Sequence, residues 1–478
     1  MAKNYELRQV DEVRWEIPQT GRMLVPGMIY ASEELLPNLE EDNAPEQVRN
    51  VAHLPGIVGK SMAMPDTHWG YGFPIGGVAA FDLDGGIVSP GGVGYDINCG
   101  VRLALTKLNR RTVESVKKKL TDQLFRDVPC GLGSSTDSLV LSREEIDEVA
   151  VKGAGWAIER GMGSQKDLSC IEESGCIPGA DPSFISNRAF ERGKNQLGTL
   201  GSGNHFLEVQ VVDEIYDEVT AAAWGLHKDE VTVMIHTGSR GFGYQICDEF
   251  LEKMVRQSID VPDKQLACAF LGTPLADQYL AAMAAAANYA FANRQILLHR
   301  VRESFARIFS PQGGNVYPLT LLYDVCHNIA KIEEHQIGGE TKKVCVHRKG
   351  ATRALPAGHA LLEGQFVDYG QPVIIPGDMG RHSEVLAGEP GAEETIMSCC
   401  HGAGRVLSRN KALKATKDRD IEQELLAQGI YSRHQGKKTM REECPDAYKD
   451  VSLVVDVVVK AGIARRVAKL RPISVIKG

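Results

Sequence analysis

The chain has 478 residues, a formal net charge of −8, and 43% hydrophobic and 24% charged residues. These proportions are those of a soluble globular protein with enough chain for a large buried core. They exclude a uniformly basic nucleic-acid coat, although a local basic groove can still hold RNA, and no apolar run reaches the roughly 20 residues that cross a bilayer.

The opening Met-Ala-Lys-Asn-Tyr-Glu-Leu-Arg has no apolar signal-peptide core, so a cytoplasmic protein without membrane attachment is expected. The 11 cysteines are odd in number and scattered from Cys99 to Cys444, which suits reduced thiols better than a disulfide framework. Many of the 49 glycines clump between Gly70 and Gly100. Short apolar runs, Val78 to Phe81 and Ile87-Val88, lie between them and read as short strands joined by tight turns. Thr112 to Phe125 reads as an amphipathic helix opened by its threonine. Glu230 to His236 is short and β-branched, a strand that breaks at Thr237-Gly238-Ser239-Arg240-Gly241. Ala276 to Phe309 carries the strongest helical signal, with Pro311 and Gly313 as its stop. Gln371 to Ile375 reads as a strand stopped by Pro376-Gly377, Ser452 to Val459 as strand-like, and Pro472 to Gly478 as a final strand.

Helices and strands do not alternate as a regular βαβ series, so the expected class is α+β. There is no long linker, charge block or internal repeat, and candidate polar residues run from Asp66 to Lys477. If these share one site, residues 1–478 form a single large interwoven domain with mixed sheets, Gly-rich loops and surrounding helices.

Asp96 and Cys99 share a Gly-rich turn, His205 follows a Gly-rich loop, His236 ends a strand, and His327 follows Asp324-Val325-Cys326. One carboxylate, one thiolate and three imidazoles suffice for one or two divalent ions. Sulfur and imidazole disfavour magnesium and leave Zn, Mn, Co or Fe open. Each residue alone is more often structural, and no dense Cys-x-x-Cys spacing binds the set together. Gly198-Thr199-Leu200-Gly201-Ser202-Gly203-Asn204-His205 is a loop able to bring backbone N–H groups onto phosphate, though not a P-loop. Thr237 to Gly243 offers a second such loop, with Arg240 able to pair with an anion. In His401-Gly402-Ala403-Gly404-Arg405 the small neighbours leave room for a bulky group on the imidazole, with Ser408-Arg409 extending the site. A structural turn and a nucleophilic histidine both fit that motif. Basic clusters at His347-Arg348-Lys349, Arg405 to Lys417 and Arg465 to Arg471 are candidate RNA contacts or solvated faces.

Taken together, the ordered blocks Met64-Pro65-Asp66-Thr67-His68, Gly94-Tyr95-Asp96-Ile97-Asn98-Cys99-Gly100, Gly198 to Glu208, His236 to Gly241, His327-Asn328, Arg348 to Ala351, His401 to Arg405 and Lys477-Gly478 resemble the RtcB family of tRNA-splicing RNA ligases over nearly the full length. The resemblance implies a GTP-dependent enzyme joining RNA 3′-phosphate or 2′,3′-cyclic phosphate ends to 5′-hydroxyl ends, in tRNA splicing or RNA repair. It implies two Mn²⁺ ions held by Asp96, Cys99, His205, His236 and His327, with Cys99 bridging, and guanylate carried on His401. It further implies nucleotide contacts from Asn204, Glu208, Ser383, Gly402, Ala403, Gly404, Tyr448 and Lys477, with Tyr448 stacking on the base. Asp378 stands where many relatives have serine and is a further expected contact. RNA is the implied partner, with archease as an activating protein. A metal-dependent phosphoesterase without GTP and a non-catalytic RNA-binding protein are the rivals; neither needs the metal set, His401 and Lys477 together.

Overall fold

A computed structural model describes residues 5–136, 139–257, 259–310 and 316–478. Helices and sheets are mixed, as the α+β expectation requires. Among the described residues, one sheet of seven strands runs in the order Arg8–Gln9, Arg14–Ile17, Gly27–Tyr30, Ile57–His68, Ile75–Asp82, Glu340–Lys349, Asn328–Ile337. A second sheet runs Thr320–Cys326, Gly100–Asn109, Glu230–Thr237, Phe206–Ile215, Ala464–Lys477, Ser383–Gly388, Pro372–Ile375, with Tyr431–His434 parallel to Ala464–Lys477. Both sheets recruit strands from distant parts of the chain.

The register of the second sheet gathers the candidate residues. Gly100 pairs with Thr237 on one side and Cys326 on the other, and Phe206 pairs with His236 and Lys477. Antiparallel neighbours place the start of one strand beside the end of the next. Cys99, His205, His236, His327 and Lys477 therefore all emerge at one edge, although up to hundreds of residues separate them in sequence. A short ladder, Ala351–Arg353 with Ser398–Cys400, delivers His401 to the same edge.

The helix Pro274–Phe309 has 36 residues and is about 54 Å long at 1.5 Å per residue. Its alanines let it press closely against the sheet, and Asn288, Asn293, Arg294 and Gln295 are buried along it. Pro311 and Gly313, read as its stop, lie outside the described residues. The helix expected over Thr112 to Phe125 is two helices, Arg110–Glu114 and Lys117–Asp127, the first capped by the Asn109 side chain rather than by Thr112. The strand before Pro376 is Pro372–Ile375.

Ser452 to Val459 is not a strand but the helix Val451–Lys460. Asp450 accepts a hydrogen bond from the Ser452 N–H and caps it, and Val451, Val454, Val455 and Val458 form a buried stripe at helical spacing. Burial of that stripe outweighs the β preference of valine. The last strand begins at Ala464, eight residues before the expected Pro472, and its register shifts between Pro472 and Ser474. The proline lacks an N–H for the ladder, and the irregularity accommodates it.

Candidate metal and nucleotide site

The edge of the second sheet opens into a cavity of about 410 Å³, within the range of small-ligand sites. Asp96, Cys99, His236, His327 and His401 all line it. Donor atoms fall into two groups, Asp96 with Cys99 and His205, and Cys99 with His236 and His327; within each group they lie within 4.8 Å of one another. Cys99 Sγ belongs to both, 3.4 Å from His205 Nε2 and 3.3 Å from His236 Nε2. His236 Nε2 is 3.4 Å from His327 Nε2, and His205 Nε2 is 2.9 Å from Asp96 Oδ2.

The chemistry of this donor set fits borderline divalent cations. His205 Nδ1 donates to the Leu200 carbonyl at 3.0 Å, which leaves the Nε2 lone pair facing Cys99 and Asp96. Burial, reinforced by the neighbouring His205, holds the His236 imidazole neutral and well below its usual range, and burial with the adjacent His401 does the same for His327. Neutral imidazole is the form that binds metal. Burial raises the Asp96 carboxyl, but the hydrogen bond and charge of His205 when its Nε2 carries a proton, together with Cys99 and Arg240, outweigh burial and bring the group down to about 2; a cation takes the place of that proton. Burial and the Asp96 charge push the Cys99 thiol up; a cation beside Sγ reverses that, because a coordinating thiol is deprotonated.

The close approach has a backbone requirement. A side chain on Gly238 would place its Cβ 2.5 Å from both Asp96 oxygens, so only glycine lets the turn after His236 pass that carboxylate. Behind the donors lies a buried network not anticipated from the sequence. The Arg294 guanidinium donates to the Asn98 carbonyl (2.7 Å), the Thr237 carbonyl (3.0 Å) and Asn98 Oδ1 (3.1 Å), and pairs with Asp324 at 2.9 Å. Asp324 also takes Arg102 at 2.7 Å. One side chain thus ties together the residues next to Cys99 and His236 and the strand that carries His327. The only sequence signal was an arginine inside an alanine-rich helix.

The His401 ring centroid lies 4.6 Å from that of His327. Asp66 is fully buried; its Oδ2 accepts from the backbone N–H groups of His401 (3.0 Å) and Gly402 (3.2 Å) and lies 2.6 Å from His401 Nδ1. At that last contact the carboxylate approaches Nδ1 closely without the alignment of a hydrogen bond. It favours the proton on Nδ1 and a free lone pair on Nε2. A Cβ on Gly404 would meet the Asp66 carbonyl at 2.1 Å, so this motif needs its glycine to wrap around Asp66. Asp66 carried no assigned role from sequence; its signal was a carboxylate placed in the otherwise apolar Met64-Pro65-Asp66 run.

Glu208, Lys477, Tyr448, Asp378, Asn204 and the backbone of 402–404 line the rest of the cavity. Burial raises the Glu208 carboxyl to about 8, and Gln210 Nε2 links it (2.8 Å) to Ser383 Oγ (3.1 Å). Ser383 lies behind the wall and acts on it through Gln210. Lys477 Nζ donates to the Gly203 carbonyl at 3.1 Å, and burial lowers its pKa. The Tyr448 hydroxyl donates to Glu443, and Arg405 lies 5.0 Å over its ring. Asp378 is not a free charge: Arg381 pairs with it at 2.9 Å, and the Gly380 and Arg381 N–H groups donate to it.

Several sequence expectations need correction. The Gly198 and Thr199 N–H groups donate to Asn293 Oδ1 and are not free for phosphate. Arg240 lies against Gly201, with its Nε on Thr199 Oγ1 at 3.3 Å, outside the cavity wall. His347 and Arg348 are buried and do not line the cavity, because strand alternation and a double-sided core enclose them; Lys349, also buried, does line it. Arg348 pairs with Glu333, and Lys349 Nζ donates to the Tyr71 and Phe73 carbonyls. Arg465 and Arg466 are paired with Asp217 and Asp456. Arg409 does line the cavity, whereas Ser408 caps a short helix. No helix among the described residues is long and apolar enough to cross a membrane.

A family model described as tRNA-splicing ligase RtcB matches residues 47–478. The chain is 49% identical to the tRNA-splicing ligase RtcB of Thermococcus kodakarensis over 100% of both chains. It is 50% identical to that of Archaeoglobus fulgidus over 99% of each. It is 51% identical to the RNA-splicing ligase RtcB of Mycobacterium tuberculosis over 90% of this chain and 100% of the other.

Proposed function

Because the chain belongs to the RtcB family, we propose that it is a GTP-dependent 3′-phosphate/5′-hydroxyl RNA ligase, with residues 1–478 acting as one catalytic unit. The observation that carries this reading is the juxtaposition of His401 with two donor groups sharing Cys99, in the same cavity as Glu208 and Lys477.

Asp96, Cys99 and His205 would hold one Mn²⁺ and Cys99, His236 and His327 the other. Such ions neutralise phosphate charge and align in-line displacement. Asp66 holds the His401 proton at Nδ1, so Nε2 attacks the α-phosphorus of GTP. The Nε2–P bond forms as the bond to the bridging oxygen breaks, and pyrophosphate leaves. Glu208, protonated at neutral pH by its burial, donates toward an acceptor on the base while Lys477 adds a second donor. Tyr448 offers the base an aromatic face. The RNA 3′-phosphate then displaces His401 from the guanylate, and a 5′-hydroxyl displaces GMP to form the phosphodiester. RNA halves from splicing and cleaved RNA awaiting repair present the same ends.

Incubation with α-labelled GTP and Mn²⁺ yields an acid-labile, alkali-stable protein–guanylate bond, and His401→Ala abolishes it. Equal labelling of His401→Ala, or none of the wild-type chain, refutes the nucleophile. An RNA hydrolase working without GTP would give no label and only cleavage.

A further inference from the structure

Three tyrosines form a continuous ladder from the cavity to the protein surface. Tyr71 and Tyr95 line the cavity, and Tyr95 immediately precedes the metal donor Asp96. The Tyr71 and Tyr95 rings meet edge to face at 5.6 Å, and Tyr95 stacks on Tyr244 at 4.8 Å with a 25° interplanar angle. Tyr244 is 42% exposed, and the Arg192 guanidinium lies 4.9 Å from its ring centroid.

The ladder is held rather than loose. Lys349 Nζ donates to the Tyr71 carbonyl at 2.5 Å, and Gln265 Oε1 accepts from the Gly72 N–H at 2.9 Å. Arg192 is tethered to Gln245 at 3.0 Å, on the same helix as Tyr244. These tyrosines come from the 70–75 and 94–99 loops and from Arg240–Val255, not from the strands that carry Glu208 and Lys477. The nucleotide end of the cavity therefore leaves them free.

We infer that the Tyr71–Tyr95–Tyr244 ladder, with Arg192, is a stacking platform for the unpaired bases of the RNA end being joined. This inference rests on the ligase reading, since it takes RNA as the cavity's second substrate. A rigid aromatic surface takes any base without reading its sequence. Sequence tolerance is what an enzyme joining RNA ends of varied sequence requires.

The test is direct binding of a single-stranded RNA with a 3′-phosphate and 2-aminopurine at its last nucleotide to the full chain in Mn²⁺. Stacking quenches that fluorophore. Tyr71→Ala/Tyr244→Ala loses quenching and weakens binding roughly 5- to 150-fold, the worth of one stacked base. The matching Phe replacements restore both, because they keep the rings. Tyr244→Ala alone, on an exposed ring, provides the test should the double variant be unstable. Wild-type affinity in the Ala variants, or an equal loss in the Phe variants, overturns the platform. Intact RNA binding with loss of stimulation by an activating protein also overturns it and assigns the ladder to a protein partner. Quenching by a wild-type chain that takes no guanylate would sink the ligase reading and keep the platform; guanylate labelling with no difference between variants would sink the platform alone.

Discussion

Replacing Arg294 with methionine keeps the length of the side chain and removes the guanidinium that spans the donor loops. In the folded chain that group is fully buried and is bonded to Asp324, Asn98 and Thr237. Removing one partner of a buried ion pair costs about 3–5 kcal/mol, because the other charge stays buried. Here Asp324 retains Arg102, which softens that loss. The two orphaned carbonyls and Asn98 Oδ1 add desolvation costs of about 1–3 kcal/mol each where water cannot reach them. The sum is a substantial part of a marginal folding free energy, so Arg294→Met lowers the midpoint of chemical denaturation strongly. The effect on the site is more specific. With its tie gone, the Asn98–Cys99 turn and the end of Glu230–Thr237 lose their fixed separation, and two metal equivalents no longer bind with wild-type affinity. Calorimetric titration with Mn²⁺, and with Co²⁺ for its thiolate-to-metal absorption, measures this without any turnover. A variant within about 1 kcal/mol of wild type that binds both equivalents unchanged would refute the positioning role, since surface-like values of that size belong to groups without buried partners.

Cys99→Ala removes the donor common to both groups, so metal content measured by mass spectrometry falls and guanylate labelling disappears; full metal content would exclude a bridging thiolate. Asp66→Asn keeps the acceptor for the His401 and Gly402 N–H groups but removes the charge beside Nδ1. The labelling rate then drops roughly tenfold or more, the worth of one charge-assisted contact of about 1.5 kcal/mol, and an unchanged rate argues against Asp66 setting the tautomer. Glu208 holds its proton up to about pH 8 when folded, against 4.5 for the ordinary carboxyl. Between those values the folded state carries a proton the unfolded chain has lost, so stability falls as pH rises through that window. Glu208→Gln flattens this slope in metal-free thermal unfolding; parallel wild-type and variant profiles would show that Glu208 titrates normally.

Local pattern alone revealed part of this molecule. The alanine-dense helix, the β-branched strand ending at His236 and the glycine turns around Asp96 could be read directly, because each depends on neighbours a few residues away. The residues of the candidate site could be named only through the resemblance to the RtcB family, since each taken alone is more often structural. Only the tertiary structure decided their spacing. Cys99 and His236 meet because antiparallel register sets Gly100 opposite Thr237, a pairing that neither segment encodes by itself. The same holds for burial. Arg348 looks like part of a basic RNA patch in sequence but sits inside the core, while the neighbouring Lys349 lines the cavity, and the valine-rich 451–460 segment becomes a helix because the stripe it must bury has helical spacing. Asp66 and Arg294 gained their roles last, from what lies against them: a charge with no local partner finds one 335 residues away in the His401 backbone, and another anchors the turn that holds Cys99. Sequence specifies which groups are present and which local shapes they favour; long-range packing fixes the distances at which they act, because those distances depend on pairings between segments that meet only when the chain is folded.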